Sequence, residues 1–168
     1  AWCKSPTTAD VSGGIVRSIR TLLNERPVHD QIDCVVIGTT QFTNAFVERR
    51  SLVPVGVIRL ALPATAALPP MSTWPGDLRA VLGDAVHLVR GGYQFDGRIN
   101  SELDGAAVAE AADAIAAAGI RSVAISGLFS LVNDAMERRA AEIVRARIPA
   151  VRITLSHRIG RPGLLERE

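Results

Sequence analysis

Short runs of β-branched and other apolar residues alternate along this chain with segments whose apolar residues recur every three or four positions. The apolar runs cover residues 32–37, 53–62, 86–89, 123–126 and 151–155. The segments with helical spacing cover residues 10–26, 39–50, 76–82, 104–118 and 133–147. Alternation of strands and helices predicts an α/β fold, with a mostly parallel or mixed sheet flanked by helices.

Polar residues at the start of these helical segments supply capping side chains. Thr7, Thr8 or Asp10 can cap the first helix, and Asp104 can cap the alanine-rich helix that ends before Gly119. At 168 residues, a chain can bury roughly 70% of its unfolded surface, so no metal or disulfide is needed to hold it together. We expect one α/β domain over residues 1–168. Because the chain begins without methionine and ends without a tail, we also expect it to be a fragment of a longer protein.

The charge and the aromatic content argue against two classes of partner. Nineteen basic and seventeen acidic residues give a net charge of +2, which is a weak electrostatic basis for binding nucleic acid. Aromatic residues make up 4% of the chain, too few for a platform that stacks bases. No apolar run approaches the roughly 20 residues that a membrane-spanning helix needs. We therefore expect neither nucleic acid nor a membrane as a partner.

The cysteines and histidines show no metal-binding pattern. Cys3 and Cys34 lie far apart, the three histidines are isolated, and we predict no metal site. Cys34 lies within an apolar run and is predicted to be a buried small hydrophobic residue. Cysteine usage of this kind favours a reducing compartment, so we expect a cytoplasmic protein. Eighteen arginines against one lysine suggest a bacterial genome of high GC content.

Small polar residues follow the predicted strands, where an open parallel sheet binds its ligands. Gly38, Thr39 and Thr40 follow the run at 32–37, and Ser156 and His157 follow the run at 151–155. They are a plausible lining for a polar ligand, so we predict that Ser156 and His157 contact substrate. No acid, base and nucleophile occur at a diagnostic spacing, and the sequence does not identify a catalytic base.

The strongest local signal is the turn at Gly38, Thr39 and Thr40, which leads into a helix. Glycine allows a tight turn, while the free amides of the first helical turn and the helix dipole favour an anion. We predict that these three residues bind a cofactor phosphate, and that Gln41 and Asn44 face a substrate cleft. The alternative is that Thr39 or Thr40 only caps the helix.

Other polar features have simpler interpretations beside the functional ones. His157 could act as an acid or base, or it could be a surface histidine. Glu137 and Glu142 share a helix with several arginines and are predicted to lie on a solvated face. Gly91 and Gly92 could approach a ligand, although a hairpin turn is the more common use of such a pair.

Several blocks of the sequence resemble one known family, in chain order. The most specific block contains Gly-Thr-Thr followed by Thr-Asn-Ala, which is similar to the G-T-T-x-A-T-N-A pattern of the N-terminal domain of the hydantoinase A/5-oxoprolinase family. The blocks that carry the resemblance are residues 5–8, 36–50, 117–125, 133–139, 154–157 and 165–168.

That resemblance implies a fragment of an ATP-dependent amidohydrolase that acts on a small cyclic amide of the hydantoin or 5-oxoproline type. The implied fold is part of an actin-like or sugar-kinase-like ATPase lobe that lacks its first hairpin. ATP and magnesium are then expected for the full-length protein and no cofactor for the fragment, which we expect to be inactive alone. The expected partners are the second lobe of the same chain and a partner subunit.

Two alternatives stay open beside this hypothesis. The first is a subunit of an ATP-dependent carboxylase. The second is a non-catalytic module that binds a partner, or a second copy of itself, through a sheet edge. The segment at about 61–98 departs from the family pattern, so the resemblance leaves the substrate unassigned.

Overall fold

The computed structural model describes residues 2–6, 10–25, 32, 34, 36, 38, 40–160 and 162–167, without the side chains of residues 11 and 41. The helices in these ranges are α1 (Val11–Glu25), α2 (Gln41–Glu48), α3 (Gly76–Leu82), α4 (Gly105–Ala117) and α5 (Ala135–Arg147). The strands are β1 (Gly56–Leu62), β2 (Val86–Arg90), β3 (Ser122–Gly127) and β4 (Arg152–Leu155). Short 3₁₀ turns cover Ser156–Arg158 and Leu165–Arg167. None of the described helices is both long enough and apolar enough to cross a bilayer.

The chain divides into two compact units, Ala1–Asn44 and Ala45–Glu168. The prediction of one domain over the whole chain therefore stays a prediction. In the first unit, the Asp10 carboxylate accepts hydrogen bonds from the backbone amides of Ser12 and Gly13, at 3.1 and 3.0 Å. Asp10 is thus the residue that caps α1, as one of the three predicted alternatives.

The predicted buried strand at 32–37 is wrong at the residues that the structure describes. Ile32, Cys34 and Val36 belong to no strand and are exposed, Val36 to 89%. Residues 33, 35 and 37 lie outside the described part of the chain. An apolar run becomes a buried strand only when neighbours cover it, and the described part of this unit contains no strand to pair with it. Cys34 is therefore exposed rather than buried.

The second unit contains a four-stranded sheet in the order β2-β1-β3-β4. All three strand pairs are parallel, and Ile58 of β1 lies opposite Ile125 of β3. This arrangement confirms the predicted α/β class with a parallel sheet flanked by helices. Because the strands are parallel, their carboxyl ends meet at one edge, where the segments after β3 and β4 come together.

The two faces of strand β1 carry different kinds of buried side chain, apolar on one face and an arginine on the other. Ile58 and Leu60 are fully buried on the face that packs against α4 and α5. The buried apolar residues of the two helices are Val108, Ala111, Ala112 and Ile115 of α4, and Met136, Ala140, Ala141 and Val144 of α5. Arg59 points to the opposite face, because side chains alternate along a strand.

Arg59 is fully buried on that second face of the sheet. Its guanidinium donates to the carbonyl oxygen of Leu68, in the proline-rich loop that follows β1. That loop is a series of hydrogen-bonded turns over 61–74. The buried arginine therefore ties the divergent segment to the middle of the sheet.

The segment after β2 contains a turn at 95–98, and the Gly91–Gly92 pair has a role other than a hairpin turn. Tyr93 and Ile99 form an antiparallel bridge around the turn, in which the Asp96 carboxylate accepts from the Arg98 amide at 3.1 Å. Gly92 instead approaches the backbone of β1. A β-carbon placed on it would lie 2.6 Å from the carbonyl oxygen of Leu60.

We expect Gly92→Ala to lower the free energy of unfolding by about 3 kcal/mol, since it combines a left-handed backbone with a steric clash. Gly119→Ala is the matched control, because Gly119 also has a positive φ of 72° but its β-carbon would meet nothing within 4 Å. The control should lose only about 1 kcal/mol. Urea unfolding of both variants measures the difference. Equal losses would contradict a close approach at Gly92.

Candidate functional site

A group of buried polar side chains lies at the carboxyl ends of β3 and β4. The chain leaves β4 at Leu155 and turns at once into the 3₁₀ segment that begins with Ser156 and His157. The members of this group, which we call the polar cluster, are Ser130, Glu137, Ser156, His157 and Arg167. Their positions show that α5 and the C-terminal segment both contribute to this edge of the sheet.

Glu137 is the centre of the polar cluster. Its side chain is 1% exposed. Oε1 accepts from the Ser156 hydroxyl at 2.6 Å, and Oε2 accepts from both the backbone amide and Nδ1 of His157, at 3.2 and 2.7 Å. Since a carboxylate can only accept, Nδ1 of His157 carries a proton that it donates to Glu137.

Arg167 closes the polar cluster from the C-terminal side. Its Nε donates to the Ser156 hydroxyl at 3.1 Å, and its Nη atoms donate to the carbonyl oxygens of Gly127 and Pro162, each at 2.7 Å. The hydroxyl of Ser156 therefore donates to Glu137 and accepts from Arg167. A buried carboxylate and a buried guanidinium share one hydroxyl, which lets both charges be buried with satisfied hydrogen bonds.

His157 is not a surface histidine, which was one of the two interpretations of the sequence. Its side chain is 12% exposed, and Glu137 holds it through Nδ1. Nε2 lies 3.4 Å from Oδ2 of Asp134. Asp134 also accepts from Arg138 at 2.8 Å, and this hydrogen bond holds the pKa of the Asp134 carboxyl below its ordinary value.

The prediction that Glu137 lies on a solvated face is wrong. Glu142 does lie there, paired with Arg139, but Glu137 faces the sheet together with the small residues of α5. Counting along the helix gives the reason, since residues three, four and seven positions after Glu137 are Ala140, Ala141 and Val144. An acidic residue in register with an apolar helix face is a signal of a buried carboxylate.

An open cavity of about 360 Å³ adjoins the polar cluster. It is lined by Ser130, Leu131, Val132, Asn133, Asp134 and His157. The loop that forms most of this lining joins β3 to α5, so the cavity opens at the carboxyl edge of the sheet. His157 and Asp134 bring two hydrogen-bonding atoms to its wall.

A second, apolar cavity of about 160 Å³ lies over the sheet face that carries Val57 and Ser126. Met71 and Trp74 of the proline-rich segment form part of its wall, together with Ile159. Trp74 therefore contributes to an internal apolar surface of the second unit.

The other predicted site residues lie in the first unit. Gly38, Thr40 and Asn44 are exposed, whereas Thr39 and the side chain of Gln41 lie outside the described residues. The Thr40 carbonyl accepts from the Asn44 amide at 2.9 Å, which places Thr40 directly before α2. A β-carbon on Gly38 would meet nothing within 4 Å. The described atoms of this turn are thus open to solvent rather than sealed by packing.

The prediction that Gly38, Thr39 and Thr40 bind a cofactor phosphate stays a prediction. The first turn of α2 contains no acidic residue that would repel an anion. In the part of the chain that the structure describes, no three His, Cys, Asp or Glu side chains come together as a possible metal site.

We expect Glu137→Ala to lower the free energy of unfolding by about 3 kcal/mol. The variant removes the buried carboxylate that accepts from His157 and offsets the buried charge of Arg167. Glu142→Ala is the matched control on the same helix, where an exposed ion pair with Arg139 should contribute under about 1 kcal/mol. Chemical denaturation followed by circular dichroism measures both. A Glu137 variant as stable as its control would show that the cluster contributes little to stability.

Arg138→Gln should raise the pKa of Asp134 toward its ordinary value, because the variant loses the charged donor that favours the carboxylate. In the parent chain, the stabilisation from the lowered pKa is present above the unfolded-state pKa and is lost as the pH falls through the folded-state pKa. NMR titration of the Asp134 carboxyl carbon checks the shift. Arg145→Gln, further along α5, should leave it unchanged, and a shift equal to that in Arg138→Gln would refute the assignment.

Comparison with known proteins places this chain in a family. The chain matches the model of the hydantoinase/oxoprolinase N-terminal region over residues 1–148. No match was found among curated protein sequences. An ATP-dependent caprolactamase from Pseudomonas jessenii has a similar structure, with a TM-score of 0.73 and 24% identity over 98% of this chain and 26% of that chain. A nucleotide-free acetone carboxylase gives a TM-score of 0.66 and 17% identity over 93% of this chain and 25% of that chain.

These two structural likenesses concern the fold, and the chain spans about a quarter of the length of each of those proteins. The family match covers most of the chain and includes both the Gly38–Thr40 turn and Glu137. The resemblance found in the sequence is therefore confirmed: the chain belongs to the hydantoinase/oxoprolinase N-terminal region family.

Proposed function

We propose that this chain is the N-terminal part of an ATP-dependent enzyme that hydrolyses a C–N bond of a cyclic amide such as a hydantoin or 5-oxoproline. The observation that carries this proposal is the family match over residues 1–148. The similar fold of a caprolactamase, an enzyme named for a cyclic amide, supports it. On this proposal the 168-residue chain alone is inactive, because it spans about a quarter of that enzyme's length.

In this enzyme, Gly38, Thr39 and Thr40 bind a phosphate group of ATP. The exposed turn before α2, free of acidic residues, supports that assignment. Backbone amides and hydroxyls there would stabilise negative charge on the phosphate. Magnesium accompanies the nucleotide, and we assign it no ligand among the described residues.

On the substrate side, His157 contacts the cyclic amide, and Ser156 acts as a positioning residue. The Ser156 hydroxyl is committed to Glu137 and Arg167, so its effect on substrate passes through the orientation of its neighbours. Gln41 and Asn44, which begin α2, remain predicted substrate contacts. The catalytic base stays unassigned.

The wider organisation follows the same proposal. The parent protein would have an actin-like ATPase lobe, a second lobe and a partner subunit, or would form a homo-oligomer, and would work in the bacterial cytoplasm.

A second candidate function is that of an ATP-dependent carboxylase subunit, which the similar fold of acetone carboxylase favours. ADP release by the full-length protein, measured with hydantoins, lactams, and ketones plus bicarbonate, separates the two functions. Turnover with ketones and bicarbonate alone would replace the amidohydrolase proposal.

Thr40→Ala in the full-length protein should lower ATP-dependent hydrolysis at least about tenfold, since an electrostatic contact to developing charge typically contributes that much or more. Thr21→Ala is the control, because the exposed Thr21 hydroxyl donates to the Arg17 carbonyl of its own helix. Steady-state rates at varied ATP concentration measure both variants. Equal activity of the two would contradict the phosphate assignment at this turn.

A further inference from the structure

We propose that the apolar cavity between the sheet and the proline-rich segment is a binding site for a small, uncharged, apolar ring of about the size of benzene. The cavity has a volume of about 160 Å³, and all of its lining belongs to the second unit. It lies on the face of the sheet opposite to α4 and α5. The inference is independent of the proposed function, because it concerns neither the Gly38–Thr40 turn nor the cavity beside His157.

The floor of the cavity is a row of three side chains on neighbouring strands. Val57 of β1 lies beside Ala124 of β3, and Ala124 lies beside Thr154 of β4. All three line the cavity. Residues paired in this way point to the same face of a sheet. The middle residue contributes a single methyl group, so the row is lowest at its centre and leaves space above it.

The walls belong to segments that pass over this row. Met71 and Trp74 lie in the proline-rich segment, and Leu82 is the last residue of α3. The buried Arg59 donates to the Leu68 carbonyl of the same proline-rich segment. This contact holds the segment at a defined distance from the sheet, which keeps the space beneath it open.

The polar groups at one end of the cavity are already engaged with one another. Ser156 and Arg167 both line it there. The Ser156 hydroxyl donates to Glu137 and accepts from Arg167, whose Nη atoms donate to backbone carbonyl oxygens. Among the described residues, no buried side-chain nitrogen or oxygen lacks a hydrogen-bond partner. A polar ligand would therefore lose its hydrogen bonds to water without meeting a buried group in need of a partner.

The volume and the lining favour an organic ring over water. A buried water molecule makes about two to four hydrogen bonds, which walls of Val57, Met71 and Trp74 do not supply. Apolar cavities of about 150 Å³ stay dry and bind benzene. A ring of matching size restores the dispersion contacts that the empty space forfeits. Thr154 and Ile159 are the exposed members of the lining and mark the mouth through which a ligand enters.

The test compares benzene with pyridine, an uncharged ring of the same size that carries one polar atom. Both are titrated into the 168-residue chain with ¹³C-labelled methyl groups. We expect benzene to shift the methyl resonances of Val57, Met71 and Ala124 until they saturate. Pyridine should bind at least about tenfold more weakly, because it gives up a hydrogen bond to water. Absence of saturable benzene binding, equal binding of pyridine, or shifts confined to other methyl groups would overturn the inference.

Two variants test the position and the size of the site. Ala124→Leu fills the floor and should weaken benzene binding at least about tenfold, since the ring and the new side chain compete for one space. Ala117→Leu is the matched control on the exposed surface of α4 and should leave binding unchanged. Met71→Ala enlarges the cavity and should shift the preference from benzene toward naphthalene. Thermal unfolding shows which variants are folded. Unchanged benzene binding by folded Ala124→Leu, or an unchanged size preference in Met71→Ala, would refute the site.

The full-length protein separates a ligand site from a packing site. Saturation-transfer NMR should detect benzene binding by the full-length protein as well as by the 168-residue chain. If only the 168-residue chain binds benzene, another part of the parent protein fills the cavity and the inference is overturned.

Discussion

The carboxylate of Glu137 is the constraint on which this edge of the molecule depends. It connects α5 to the segment after β4 through Ser156 and His157, and Arg167 completes the connection from the last described turn. A buried charge with three hydrogen bonds has few alternative arrangements of comparable energy, because any of them leaves the charge unsatisfied. The polar cluster therefore determines where His157 lies.

The parallel sheet makes that constraint useful. Parallel strands bring their carboxyl ends to one edge, so a residue after β4 and a loop after β3 become neighbours. The central strand β1 adds a second constraint, since the buried Arg59 ties the proline-rich segment to the sheet through Leu68. The part of the chain that departs most from the family pattern is thus anchored at a defined point of the sheet.

Periodicity predicted the helices and strands of the second unit closely, because each of these elements buries one consistent face. It failed at 32–37, because an apolar run has the same sequence pattern whether or not other strands cover it. At α5 the residue pattern was sufficient but was interpreted wrongly: Glu137 shares the spacing of Ala140 and Val144, and that spacing identifies a buried position. His157 could not be placed from the sequence, since its partner is twenty residues away.

The sequence by itself determined the α/β class, the order of the elements and the family, since these depend on local periodicity and on short residue patterns. Only the tertiary structure decided that Glu137, Ser156 and Arg167 form one buried cluster and that His157 lines a cavity beside Asp134. Those contacts join residues that are remote along the chain, and no local propensity encodes the distance between them. They arise when the strands assemble into the sheet and the desolvated charges must find partners.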